Sequence, residues 1–198
     1  MNSLISQLRP ALSVFALLTA ITGVAYPLAV TGLAQVAFPH TANGSVISVA
    51  GKAVGSTLIG QSFSEPKYFW GRPSATGPMP DNGTASSGAN LGANNPALLS
   101  AVKDRIDALH TADAGNTAPV PVDLVTASGS GLDPEISLAA ARYQAARVAR
   151  ERKLGVGQVQ ALIDAQAQQP FLGVVGEPRV NVLLLNLALD GKQVAFNR

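Results

Sequence analysis

Between Pro10 and Phe38 the chain carries no charged side chain. As a helix, the apolar heart of this segment, Ala11–Phe38, extends about 40 Å at about 1.5 Å per residue, against a bilayer hydrocarbon core of about 30 Å. One Lys, Arg or Asp at its centre would oppose insertion by roughly 2.5–3.5 kcal/mol. None is present, so Leu12, Phe15, Leu17, Leu18, Ile21 and Leu28 favour insertion unopposed. A cleaved signal peptide is the competing reading, but its apolar core runs about 7–15 residues and ends in a small-x-small site. The run here is far longer and Gln35-Val36-Ala37 is a poor cleavage site, which favours an uncleaved anchor.

The organisation expected is a tail over 1–9, a transmembrane helix over 10–38 and one extracytoplasmic α+β domain over 39–198. Orientation follows from the positive flank. The amino terminus and Arg9 precede the span, and the next charged residue is Lys52. The tail is therefore expected in the cytoplasm and the domain in the periplasm, on a single-pass protein of the cell inner membrane. Ala16, Ala20 and Gly23 form a small-residue face on which another helix can approach closely, although a lone lipid-facing helix tolerates the same residues. Pro27 lacks an amide hydrogen and is expected to kink the outer third. A single uncharged helix cannot line an ion path, which needs polar groups facing a cavity.

Composition agrees. Only 13% of the residues are charged, against about 25% in an average soluble domain. The formal net charge of +2 is too small to indicate nucleic-acid binding. With no cysteine, disulfides, thiolate catalysis and Cys-ligated zinc are excluded. His40 reads as an interfacial residue rather than a ligand, and His110 sits at a helix end, where a cation favours the dipole.

In the domain, Val46–Val49 and Lys52–Val54 flank Gly51 and read as a hairpin. Tyr68–Trp70 and Asp123–Ala127 are strand candidates. From Ser74 to Pro96 the chain is rich in Gly, Ser, Asn and Pro, a loop long enough to be functional or mobile. Asn95-Pro96 opens a helix whose apolar face is Leu98, Val102, Ile106 and Leu109. Ser137 caps a helix expected to run to Gly155, and a shorter one from about Gln158 stops before Pro170. Val180–Leu189 is either a buried strand or a strand followed by a short helix. Arg142, Arg147, Arg150, Arg152 and Lys153 read as a solvated basic face rather than a contact for acidic partners or lipid head groups.

No catalytic constellation is complete. A P-loop and a G-x-G-x-x-G turn are missing, and Ser128–Gly131 looks flexible but lacks the spacing of a nucleophile elbow. Ser64-Glu65-Pro66-Lys67 matches the S-x-x-K of penicillin-recognising enzymes, without the K-T-G and S-x-N companions. An anchored Ser/Lys acyl-transfer enzyme, or a free-standing envelope binding module, therefore stands as the alternative function.

A series of motifs in order resembles the KdpC family: Ser56–Phe63 (STLIGQSF), Tyr68–Thr76 (YFWGRPSAT), Ser86–Gly92 (SSGANLG), Asn95-Pro96, Pro121–Ser137, Arg147–Arg152 (RVARER) and Gln168–Asp190. LRPALS, Leu8–Ser13, matches at the start of the anchor. The departures are Gln7 and the residues before it, which extend the N-terminus, and Trp70 at a variable site. The resemblance implies a non-catalytic accessory subunit of an ATP-driven potassium import complex. The implied partners are a KdpB-like P-type ATPase, a KdpA-like channel subunit and a small KdpF-like single-span subunit. It also implies help in assembly and a catalytic-chaperone effect that raises ATP affinity in the ATPase subunit. No cofactor is expected on this chain, and ATP is implied only through that partner. The partner-contact candidates are Gly71, Arg72, Pro73 and Ser74, with the 74–96 loop.

Overall fold

The computed structural model describes residues 2–192 and 194–196. The chain divides into an N-terminal unit that ends at Ser45 and a second unit over Val46–Phe196. In the first, helix α1 (Asn2–Ala20) passes through a π-helical turn (Ile21–Ala25) into α2 (Tyr26–Ala37), and α3 (Pro39–Ala42) adds one turn. Ser6–Ala37 is long and apolar enough to cross a membrane, and its side chains are almost wholly exposed.

The disturbance expected at Pro27 takes a specific form. Proline has no N–H and its ring collides with the carbonyl four residues earlier. The helix widens just upstream, where the Tyr26 N–H reaches the Ile21 carbonyl, and Pro27 occupies the first turn of α2, where no donor is required. Ala16 and Ala20 lie in α1, whereas Gly23 lies within the widened turn.

The second unit opens with the expected hairpin, β1 (Val46–Val49) and β2 (Lys52–Ser56). Ala50 and Gly51 both have positive φ, 51° and 77°, the signature of a tight turn whose twist suits paired strands. A later strand, β5 (Ala195–Phe196), pairs on the other side of β1, which is central in the order β2-β1-β5. After β2 come α4 (Pro96–Ala112), β3 (Glu135–Ser137), α5 (Leu138–Arg152), α6 (Val156–Gln166), β4 (Arg179–Asn181) and α7 (Val182–Leu189). β3 and β4 form a separate antiparallel pair.

Several boundaries follow from caps. The Asn95 side chain accepts from Ala97 N–H at 2.9 Å and opens α4. Ser137 accepts from Ala140 N–H at 3.0 Å and opens α5. That helix ends at Arg152, not Gly155, because Lys153 takes the left-handed conformation (φ 57°) that closes it. Gly155 instead caps α6, with Gln158 reaching back to its N–H at 2.9 Å. Over 180–189 the strand-then-helix alternative is the one formed.

The core gathers where α5 packs on α6 and β3. Ala140, Ala141, Ala145 and Ala149 keep one face of α5 thin, so Val148, Val159, Ile163 and Leu185 interlock beside it, with Phe69 fully enclosed. Burying a ring of that size stabilises the fold by up to about 3 kcal/mol.

Two expected strands are not strands. Asp123–Ala127 begins as a 3-10 turn over Val122–Leu124. There Asp123 accepts hydrogen bonds from Ser137, from its backbone N–H at 2.8 Å and its hydroxyl at 3.3 Å, so polar capping outweighs β propensity. Tyr68–Trp70, with Phe69 buried and its neighbours half-buried, has no strand neighbour, because side chains serve the backbone of Phe69 and Trp70 instead.

Candidate functional site

The segment Glu65–Ser74 crosses the domain without secondary structure, and its buried amides need partners. Asn186 accepts from Phe69 N–H at 2.9 Å and donates to the Phe69 carbonyl at 3.0 Å. Gln144 does the same for Trp70, at 2.8 and 3.1 Å. Both amides lie on the apolar faces of their helices. Gln144 falls between Ala140 and Val148 at four-residue spacing, and Asn186 follows Val182 by four. A polar amide on an apolar stripe was the signal for this role.

The arginines of α5 are not a uniform solvated face. Arg147 is 1% exposed. It donates to the carbonyls of Pro66 and Tyr68 and to Gln144 Oε1 at 2.7 Å, and its guanidinium lies 4.6 Å from the Trp70 ring centroid. Burial lowers its pKa to about 10, a shift that nearby Asp113 opposes. Arg152 donates to the carbonyls of Lys67 and Leu189 and pairs with Asp190 at 2.8 Å, while Tyr68 donates to the same carboxylate at 3.0 Å. Arg142 pairs with Asp164 at 3.1 Å and Arg150 with Asp113 at 2.8 Å. The expectation of a solvated face fails at Arg147 and Arg152, since a guanidinium with several fixed acceptors tolerates burial that a solvated charge does not.

Gly71, Arg72, Pro73 and Ser74 are each half-buried. Arg72 pairs with Asp133 at 3.1 Å and donates to the Ala127 carbonyl at 3.3 Å. Ser74 donates to the Gly131 carbonyl at 2.7 Å and accepts from Asp81 N–H at 2.9 Å. Across the same junction Ser87 N–H reaches the Ser130 carbonyl at 2.9 Å, and Gly60 N–H reaches Leu132 at 2.8 Å. The Ser128–Gly131 turn is thus held from both sides. What this region presents outward is its tip, Gly77–Pro80, with Met79 well exposed.

Ser64 is exposed, and Lys67 pairs with Glu65 at 2.7 Å. That partner holds the Lys67 ammonium above the ordinary lysine range, the opposite of what a serine-activating base requires. The geometry disfavours acyl transfer.

A surface feature that the sequence reading did not single out lies between α6 and β4. Phe171, Leu172, Val174 and Val175 are 70, 80, 80 and 62% exposed. They sit on a closed tip in which Phe171 and Val175 exchange backbone hydrogen bonds at 2.9 and 3.0 Å. From Ala165 to Gly176 no residue is charged. The available signal was this uncharged apolar run between Pro170 and Gly176.

The family model for KdpC, the c chain of K+-transporting ATPase, matches residues 8–191. A potassium-transporting ATPase KdpC subunit of Janthinobacterium sp. (strain Marseille) is 66% identical over 185 residues, covering 93% of this chain and 98% of its own. The corresponding subunit of Variovorax paradoxus is 63% identical, covering 98% of this chain and all of its own. That of Sorangium cellulosum is 58% identical, covering 95% and 99%.

Proposed function

The chain belongs to the KdpC family, and from that membership we propose that it is a non-catalytic accessory subunit of an ATP-driven potassium import complex. The observation that carries the reading is the anchor. One apolar helix over Ser6–Ala37, without charge after Arg9, offers an ion no charged ligand, yet exposes nearly all its surface to other helices. Potassium selection then falls to a channel-like subunit, ATP hydrolysis to a P-type ATPase subunit, and a small single-span subunit completes the assembly.

In this reading residues 1–9 are cytoplasmic, 10–38 span the inner membrane and the domain over 39–198 is periplasmic. The Ala16, Ala20 and Gly23 face docks on a partner helix. The outer domain meets its partners through the Gly71–Ser74 region, with the exposed 77–80 tip, and through the apolar 171–175 tip. Any rise in ATP affinity reaches the nucleotide site as a coupling free energy through the membrane helices, since the nucleotide lies on the far side.

The test uses the assembled complex. Omitting this chain should raise the apparent KM for ATP of the ATPase and reduce recovery of the other subunits, whereas an unchanged KM removes the chaperone role. Gly23→Leu should loosen the complex in detergent. Orientation is read on the natural cysteine-free background with Asn94→Cys. An impermeant maleimide should label it in spheroplasts, and labelling only after lysis would reverse the topology.

A further inference from the structure

Beside α4 lies a cavity of about 230 Å³ with two chemically distinct sides. Phe63, Trp70, Leu109 and Leu124 line it with carbon, and Arg72 and Arg105 line it with positive charge. No Asp or Glu is among the described residues of its wall. The charge of Arg72 is answered by Asp133, but its Nε is buried with no hydrogen-bond partner among the described residues.

Arg105 is the less satisfied of the two. It is half-buried, and its single acceptor among the described residues is the Val125 carbonyl at 3.0 Å. It forms no ion pair among them. Burial holds its guanidinium below the ordinary arginine value, with Asp104 opposing the shift. A partly desolvated cation with no ion-pair partner among the described residues is unfavourable, and such groups are normally paired. A planar guanidinium offers a fork that matches a carboxylate. The volume lies under the roughly 300–1,000 Å³ of ordinary ligand pockets, which restricts the occupant to a carboxylate with a few carbons or one ring. Inorganic anions would leave the aromatic and leucine wall unused.

We propose that this cavity is a binding site for a carboxylate carried on a short apolar stem, with Arg105 as its anchoring cation. Two sources supply that chemistry: a free small organic acid, or an acidic side chain of a neighbouring subunit. The second source rests on the accessory-subunit reading and the first does not.

The probe is labelled cyclohexanecarboxylate, followed by equilibrium dialysis against the full chain in detergent, with cyclohexylmethanol as its neutral counterpart. Trp70, the sole tryptophan, supplies an independent fluorescence signal from the cavity wall. The acid should bind saturably and the alcohol should not. Arg105→Gln should weaken binding at least about tenfold, the loss of one charge-assisted pair. Ala108→Leu, at an exposed position of the wall, should block the cavity while leaving the circular dichroism spectrum intact. Absence of saturable binding, equal binding of the alcohol, or unchanged affinity in Ala108→Leu would overturn the proposal. Repeating the dialysis on the assembled complex separates the sources. Retained binding identifies a free acid, and lost binding identifies a neighbour's side chain already in the seat.

Discussion

Asn186 and Phe69 are 117 residues apart, yet the side-chain amide of the first closes both hydrogen bonds of the second's backbone. The amide takes the place of a neighbouring strand. With Gln144 serving Trp70 in the same manner, a segment without secondary structure crosses the core with its polar groups paired. The consequence reaches the surface, because the residues that follow, Gly71–Ser74, start from a fixed point.

Replacing Asn186 by Leu keeps the volume and removes both partners of Phe69. Each orphaned buried group costs about 1–3 kcal/mol, so Asn186→Leu should lower stability by about 3 kcal/mol. Urea unfolding of the full chain in detergent measures this. A loss below about 0.5 kcal/mol would mean that water replaces the amide.

The two glycines of the Ser128–Gly131 turn differ in their surroundings. At Gly131, where φ is 67°, a Cβ would collide with the Ser87 carbonyl oxygen, whereas at Gly129 it would meet nothing within 4 Å. Gly131→Ala should therefore cost about 2 kcal/mol, and Gly129→Ala almost nothing. In thermal melts the first should shift Tm down by about 5 °C. Equal melting of the two variants would refute the close approach of 86–88 to 128–131.

Tyr143 carries a buried hydroxyl with no hydrogen-bond partner among the described residues. Burial raises its pKa above the ordinary phenol value, with Asp113 adding to the shift and Arg147 opposing it. The folded state therefore keeps this proton when the unfolded chain, near pH 10, has released it. The neutral phenol's contribution to stability is complete below about pH 10 and is lost as pH rises through the folded-state value. Tyr143→Phe should stabilise the chain by roughly 1 kcal/mol at pH 7. It should also flatten the fall in stability above pH 10, read as the difference between the two unfolding curves across that range.

The 171–175 tip contributes little to folding and is exposed. Leu172→Ser combined with Val174→Ser should leave Tm within about 2 °C, since surface substitutions change stability by about 0.5 kcal/mol or less. Recovery of partner subunits with the tagged chain should fall severalfold. Unchanged recovery would remove the tip from the interface.

Much of this molecule is legible in local pattern. The apolar run announced the long helix, and Asn95 and Ser137 announced α4 and α5 through caps that depend on neighbours within three residues. The Ala50-Gly51 turn is equally local. The failures share a cause. Tyr68–Trp70 has the composition of a strand but finds amides instead of a ladder, and Asp123 is drawn into capping Ser137. Arg147 resembles its charged neighbours in local sequence, but its place on the face shared with Gln144 buries it.

The order of residues by itself determined a helix long and apolar enough to cross a membrane, the starts of α4 and α5, and the family. These depend on hydropathy, caps and motifs that act over a few positions. Tertiary structure alone decided which polar side chains are buried, which half-buried arginine has no ion pair among the described residues and which apolar tip is exposed. Those outcomes depend on distances between residues tens of positions apart, and periodicity along the chain carries no record of them.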